Sequence, residues 1–465
     1  MKIKFLGANQ QVTGSCSLLE TDTARVLVDC GLYQEREFLA RNWEPFPVAP
    51  DSIDMLLLTH VHLDHCGLIP KLVREGFSGP ILLTSPSEDL LPIVLLDSAR
   101  IHEEDASYKK KRHKREGRKG PYPEIPLYTV KDAERALPLT QGVPYDKSIP
   151  IKDQWEVRFH DAGHILGSAI IEVIVREKGR QETVLFSGDI GQWNRPLMKD
   201  PTMFDHADYI VMETTYGNRD HDDPEDVDRL LCAIINETIE RGGNVVIPTF
   251  AIERAQELLF HLGRLSRQNR IPYVMTFLDS PMALDVTEVF VQYQNSLDKD
   301  VLKLLKKGKK PFGFPGLRLT RTTVESKSIN SIRGSTIIMA GSGMCTGGRV
   351  KHHLVHNLSR PECTVLFVGY QAHGTLGRLI LDGKSEVRIH GNRYPVRAKI
   401  EQIQGFSAHA GQKDLFRWLD AFRSPPARLF LIHGEKDSSH TLSDLIQKKK
   451  RWKVTTPRYL DEWDL

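Results

Sequence analysis

The sequence predicts an α/β protein: a β-rich layered domain interrupted by an inserted α/β domain whose strands form a parallel sheet flanked by helices. Three observations carry this. Strand-length apolar runs punctuated by Gly and polar turns fill the first third. From about Tyr209, helical apolar periodicity alternates with strands, the pattern of a parallel α/β layer. Histidine-bearing motifs then fall on both sides of that stretch. The expected division is 1–207 for the first part of the layered domain, 208–395 for the insert, and 396–465 for the last part of the layered domain. Two or three domains also suit 465 residues at roughly 150 per domain.

In chain order, KIKFLG (2–7), SCSLLET (15–21), ARVLVDCG (24–31) and DMLLLTH (54–60) read as strands, followed by EVRFHDA (156–162), SAIIEVIV (168–175) and TVLFSGD (183–189). Residues 225–241 place Val227, Leu230, Leu231, Ile234 and Ile235 at helical spacing, and Gly242-Gly243 stop that helix before the strand NVVIP (244–248). Helix 253–264 and strands YVMTFL (273–278), STIIMA (335–340) and TVLFVG (364–369) continue the alternation. After about Val396 the strand-rich style returns with RAKIEQIQGF and RLFLIHG. Between them Leu415, Trp418, Leu419 and Phe422 line one helix face that Pro425-Pro426 terminate.

Composition narrows the class. An apolar fraction of 40% can fill large cores, and no run approaches the ~18 uncharged apolar residues of a membrane span. The start, MKIKFLGANQ, lacks a secretory apolar core, so a cytoplasmic location with no membrane partner is expected. Six scattered cysteines without a CxxC pair argue for reduced thiols and against zinc–thiolate sites. The net charge of +3 hides a basic run, KKKRHKREGRKG (109–120), expected as a loop carrying a net +7. Such a run is either a solvated surface or an attraction to a polyanion.

The sharpest chemistry is THVHLDH, with His60, His62, Asp64 and His65 at the end of a strand. In extended chain His60 and His62 project to one side, and the following turn brings Asp64 and His65 to a second point nearby. Four ligands then serve two metals. Imidazole with carboxylate suits a borderline divalent ion such as zinc, in an open site rather than a closed structural one. DAGHILGS supplies His164 and FSGDIG supplies Asp189, each at a strand terminus beside Gly. Asp189 is suited to bridge the two metals.

The ordered set DCG (29–31), HVHLDH (60–65), AGHILGS (162–168) and SGD (187–189) resembles the metallo-β-lactamase superfamily. That resemblance implies an αββα sandwich with a dinuclear zinc site. One metal would take His60, His62 and His164, the other Asp64 and His65, with Asp189 shared and Asp29 orienting the ligand loops. ETTYGNRDH with Glu213, FSAHAG with His409 and LIHGE with His433 are similar to the further motifs of the β-CASP nucleases, the branch of the pre-mRNA 3′-end processing endonuclease and of RNase J. By that match His433 completes the second metal site, and His409, poised by Glu213, protonates the departing oxygen. A His at the last motif accompanies RNA-processing members. PTFAIERAQELL, DSPMA, AGSGMCTGGR and GYQAHGTLGR resemble the inserted domain, and Arg254, Ser342 and Arg378 are its candidate phosphate contacts. Arg254 equally suits an internal salt bridge. One departure is Gly411, where many members have Asp two places after the motif histidine.

The resemblance implies a zinc-dependent ribonuclease, an endonuclease to which 5′-exonuclease action can be added. Asp64, His409 and Glu213 would form the catalytic group. Two Zn2+ would activate water against the phosphodiester. Single-stranded RNA, held by its backbone, is the implied partner, and a homodimer is allowed. Three alternatives stand beside this: a DNA nuclease of the same family, a thioesterase or lactamase on the same sandwich, and a non-catalytic RNA-binding scaffold.

Overall fold

The computed structural model describes residues 1–465 except Arg118, Asp153, Lys178, 222–225, Tyr370 and His373. Arg118 of the basic run, and Tyr370 and His373 of GYQAHGTLGR, therefore lie outside the described residues. The chain divides into two compact units, one of residues 1–194, 198–220 and 409–465, the other of 195–197 and 221–408.

The first unit holds two seven-stranded sheets. One runs, edge to edge, Glu462–Asp464, Lys2–Gly7, Cys16–Glu20, Arg25–Val28, Met55–Leu57, Ile81–Thr84 and Thr140–Val143. The other runs Val454–Thr455, Arg428–Ile432, Tyr209–Glu213, Arg180–Phe186, Ala169–Glu177, Trp155–Asp161 and Ile149–Lys152. Alternation decides which side chains face inward. Ile3 and Phe5 point to the core while Lys2 and Lys4 pair with Glu462 at 2.8 and 2.9 Å. The inner faces meet in one apolar layer in which Phe5 and Phe430 lie 5.0 Å apart, joined by Val26, Leu57, Phe159, Ile171, Phe186 and Val211. The second sheet buries Ile170, Leu185, Ile210 and Met212 on its other face, against Leu415, Trp418 and Leu419 of helix Gln412–Asp420 and Leu442 and Ile446 of helix Lys436–Lys450. That helix pair is the outer layer the sandwich requires. Gln412–Asp420 ends before Pro425-Pro426, and Phe422 packs from just beyond it, 5.2 Å from Trp418.

The second unit is built on a six-stranded, all-parallel sheet in the order Leu317–Leu319, Met275–Asp279, Thr336–Ala340, Val245–Pro248, Thr364–Val368, Lys399–Ile403. Helix Asp226–Glu240 leads into its first strand, and helices Arg254–Arg267, Pro281–Gln292 and Val350–Asn357 lie between later ones. Val246, Phe277, Ile338, Leu354, Val365 and Phe367 form its core.

Two boundaries differ from the sequence expectation. Tyr209–Glu213 pairs in register with Arg428–Ile432 in the sandwich, so the insert begins near His221 rather than at 208. Lys399–Ile403 pairs along its length with Thr364–Val368, which keeps residues 396–408 in the insert. The strand-rich texture after Val396 is the last strand of a parallel sheet, a difference that composition does not register. The basic run also differs. Residues 109–116 are the last turns of a 32-residue helix, Ser85–Glu116, closed by Gly117 at φ 61°, whose N–H donates to the His113 carbonyl. A left-handed glycine just past a helix is the usual stop. All six cysteines are unpaired thiols, and among the described residues no helix is long and apolar enough to cross a membrane.

Candidate metal centre

In the second sheet Arg180–Phe186, Tyr209–Glu213 and Arg428–Ile432 are parallel neighbours, Glu213 lying opposite Ile432. Their C-terminal ends therefore sit side by side, carrying Asp189, Glu213 and His433. From the first sheet, Met55–Leu57 runs on to His60, and the short helix Leu63–Cys66 begins after His62. His60 and His62 precede the turn, while Asp64 and His65 lie on it. The loops bearing His164 and Asp189 touch backbone to backbone: Gly191 donates to the Ala162 carbonyl at 2.8 Å, and a Cβ on Gly191 would lie 2.0 Å from the Gly163 oxygen. Only glycine allows that approach.

The ligand-type atoms form two groups. His60 Nε2 and His62 Nδ1 are 3.0 Å apart, His62 Nδ1 and His164 Nε2 3.2 Å, and Asp189 Oδ2 lies 3.3 Å from His60 and 3.5 Å from His164. His65 Nε2 and His433 Nε2 are 3.1 Å apart, with Asp64 Oδ2 3.4 Å from His433 and Asp189 Oδ1 3.3 Å from His65. Four donors at ~2.05 Å around a tetrahedral zinc are ~3.3 Å from one another. The observed spacings match that value, so the residues fit a divalent ion in each group, with the two oxygens of Asp189 facing one group each.

Neighbouring groups set which nitrogen faces inward. Asp29, at φ 61°, accepts from the Thr59 N–H and hydroxyl and from His65 Nδ1 at 2.7 Å. With Nδ1–H spent on Asp29, Nε2 is the His65 nitrogen that faces the cluster. The Thr59 hydroxyl donates to Asp29 and lies 3.1 Å from His60 Nδ1, so it accepts that N–H and leaves His60 Nε2 free as a ligand. Thr215 Oγ1 lies 3.1 Å from His433 Nδ1. Thr59 and Thr215 were not singled out from the sequence. Their signal is adjacency, Thr59 to His60 and Thr215 two residues after Glu213.

Burial governs the charges. It pulls His60 down to about 3, helped by His65, and His62 down to about 4, so both imidazoles are neutral and able to ligate. Against the same burial, the Asp189 and Asp29 carboxylates raise His65 well above its ordinary value. Burial opposes ionisation of Asp189 as well, yet His433 and the surrounding imidazoles hold it well below the carboxylate range.

His409 lies beside this cluster, its ring 4.5 Å from that of His164. Its Nδ1 is 3.2 Å from Glu213, whose carboxylate is buried and also accepts from the Ile190 N–H at 2.7 Å. Burial disfavours the imidazolium, but Glu213 and Asp189 outweigh it and raise His409 to about 9. Glu213 thus holds the ring by a contact that does not involve position 411, and Gly411 instead caps the helix Gln412–Asp420.

The phosphate candidates belong to the second unit. Arg254 is not offered to solvent: it is buried, ion-paired with Glu257 one turn along its helix and set over the Phe406 ring at 5.3 Å, the internal role open in the sequence. Ser342 lies in the loop after Thr336–Ala340, where its hydroxyl accepts from the Gly347 N–H at 3.2 Å. Arg378 is half-exposed and pairs with Asp382 at 2.9 Å.

Comparison with known proteins bears on this arrangement. Family models match residues 10–215 as the metallo-β-lactamase superfamily, 255–380 as the β-CASP domain and 393–457 as the "Zn-dependent metallo-hydrolase RNA specificity domain". The chain is similar to ribonuclease TTHA0252 of Thermus thermophilus, 37% identical over 96% of each chain. It is also similar to the transcription termination factor FttA of Methanocaldococcus jannaschii, 31% identical over 99% of this chain and 71% of that protein. A solved Enterococcus faecalis protein of unknown function shares the fold, with a TM-score of 0.58 at 11% identity over 100% of this chain and 99% of that one. Three matched segments in order, and a relative aligned over nearly its whole length, lead to one conclusion: the chain belongs to the β-CASP family of the metallo-β-lactamase superfamily and is a metal-dependent hydrolase.

Proposed function

We propose that this protein is a two-zinc ribonuclease that hydrolyses RNA phosphodiester bonds and leaves a 5′-phosphate on the downstream product. The observation that carries the reading is the convergence of seven ligand-type side chains into two groups sharing Asp189, with a histidine held by a buried glutamate at their edge. His60, His62 and His164 would hold one ion, and Asp64, His65 and His433 the other. When bound, a metal pair supplies a hydroxide near neutral pH and offsets phosphoryl charge. Asp29 and the Thr59 hydroxyl fix the ring nitrogens that face inward. Glu213 keeps His409 Nδ1 protonated, so the proton passed to the departing 3′-oxygen comes from Nε2. Ser342 and Arg378 remain candidate backbone contacts.

An RNA substrate is supported by the RNA specificity domain matched at 393–457 and by the ribonuclease relative. Zinc-loaded protein is expected to cleave single-stranded RNA with Asp64→Ala inactive. Equal cleavage by Asp64→Ala, or cleavage of DNA alone, would overturn the reading. Linear and circular RNA substrates separate internal cutting from attack at a 5′ end.

A further inference from the structure

We propose that the C-terminal turns of helix Ser85–Glu116 form a docking site for single-stranded RNA, remote from the metal centre and engaging a part of the strand that is not being cut. The ligand rests on the ribonuclease reading above. The site rests on the following.

The helix begins beside the candidate centre and ends far from it. Thr84 and Ser87 hydroxyls donate to the Gly167 carbonyl at 2.6 and 2.9 Å, three residues after His164. At 1.5 Å per residue, His113 lies about 40 Å further along. A stacked strand needs roughly a dozen nucleotides to cover that distance.

The far end is anchored and strongly charged. His113 turns inward, buried, and meets Glu124 at 2.7 Å, which fixes the last turns against the following segment. Lys109 and Arg112 pair within the helix, with Asp105 and Glu116. Lys110, Lys111, Lys114 and Arg115 are exposed and make no ion pair among the described residues. Cations in a final turn favour the helix dipole, which accounts for Lys114 and Arg115. Lys110 and Lys111 lie further back and need another reason.

The chemistry favours a nucleic acid over a lipid surface. Residues 109–116 contain no apolar side chain to enter a bilayer, as an interfacial helix requires. Next to them, Tyr108 is 62% exposed, with the Arg112 guanidinium 5.9 Å from its ring centre. An exposed aromatic among cations is how single strands are gripped without reading sequence, the bases stacking and the phosphates pairing.

The test compares the full-length, metal-loaded wild type with the combined variant Lys110→Gln, Lys111→Gln, Lys114→Gln and Arg115→Gln, and separately with Tyr108→Ala. The probe is a 40-nucleotide single-stranded RNA titrated across salt concentrations. Gln keeps helix propensity, and unchanged metal content and melting temperature establish that the fold is intact. The fourfold variant is expected to bind about tenfold or more weakly at 0.1 M salt, with a salt slope reduced by up to about 3. Tyr108→Ala is expected to weaken single-stranded but not double-stranded RNA. Equal affinity and slope for wild type and fourfold variant would overturn the site while leaving the ribonuclease reading intact. Wild type that binds RNA through these residues yet never cuts it would sink the ribonuclease reading and leave the site standing. Loss of binding to phosphatidylserine vesicles with RNA binding untouched would assign the helix end to a membrane and refute the proposal.

Discussion

Replacing Asp29 by Asn tests how the second candidate metal group is assembled. Asp29 Oδ1 accepts the Thr59 N–H at 2.8 Å, and Oδ2 accepts His65 Nδ1 at 2.7 Å. Asn has the same shape but one acceptor, so its NH2 must face one of those two donors. If it faces Thr59, a buried backbone N–H is left unpaired, at a cost of about 1–3 kcal/mol. If it faces His65, the ring moves its proton to Nε2, the nitrogen that lies 3.1 Å from His433 and must be bare to ligate. Either way affinity at that site falls, and removing such a partner typically costs 10–100-fold, or about 1.4–2.7 kcal/mol. The assay is zinc titration against a competing chelator, with bound metal counted by elemental analysis. Asp29→Asn is expected to weaken the site formed by Asp64, His65 and His433 and to spare the one formed by His60, His62 and His164. Two sites with wild-type affinities would refute the reasoning.

Other expectations follow from the same geometry. His409→Ala should lower kcat for RNA cleavage by about 10²–10⁴ with both metals retained, and an unchanged kcat would remove His409 from proton transfer. Phe5→Ala opens the layer between the two sheets and should cost about 3–5 kcal/mol in denaturant unfolding. Burial raises the Glu253 carboxyl to about 8, helped by the charge of Glu257, and Glu253 Oε2 has no hydrogen-bond partner among the described residues. Because the folded state holds that proton more tightly than the unfolded chain, stability should fall as pH rises from the ordinary carboxylate range through about 8, by up to about 1.4 kcal/mol per pH unit. Glu253→Gln should flatten that slope in melts from pH 5 to 9. Glu253 also sits at φ 64°, ψ −58°, so Glu253→Gly should raise the melting temperature further by releasing backbone strain. Chelation should abolish hydrolysis and lower the melting temperature, with added zinc restoring both.

Much of the candidate site was legible because ligand-type side chains compress into short motifs. THVHLDH places four donors within six residues, and the strand before it fixes their direction. His164, Asp189 and His433 were legible because each follows an apolar run that ends at the same sheet edge. The roles of Thr59 and Thr215 were not, since adjacency to a motif residue does not say which ring nitrogen a hydroxyl meets until the ring orientations are seen. Arg254 shows the opposite case, a cation beside a glycine-rich sheet edge that its own helix neutralises through Glu257, three residues on. The boundary at residue 396 failed because strand character alone does not say which sheet a strand joins. The helix Ser85–Glu116 was missed for a related reason. Its buried apolar positions, Leu90, Leu91, Val94, Leu95 and Ala99, thin out to Ala106 alone in the second half, and the last turns are held by charge and by His113 rather than by an apolar stripe.

The most direct measurement is a crystal structure of the zinc-loaded protein with anomalous data collected across the zinc absorption edge. Two peaks are expected, one among His60, His62 and His164 and one among Asp64, His65 and His433, with an oxygen of Asp189 turned toward each. No zinc peak among these side chains, or zinc bound elsewhere while they remain hydrogen-bonded to one another, would contradict the proposed centre.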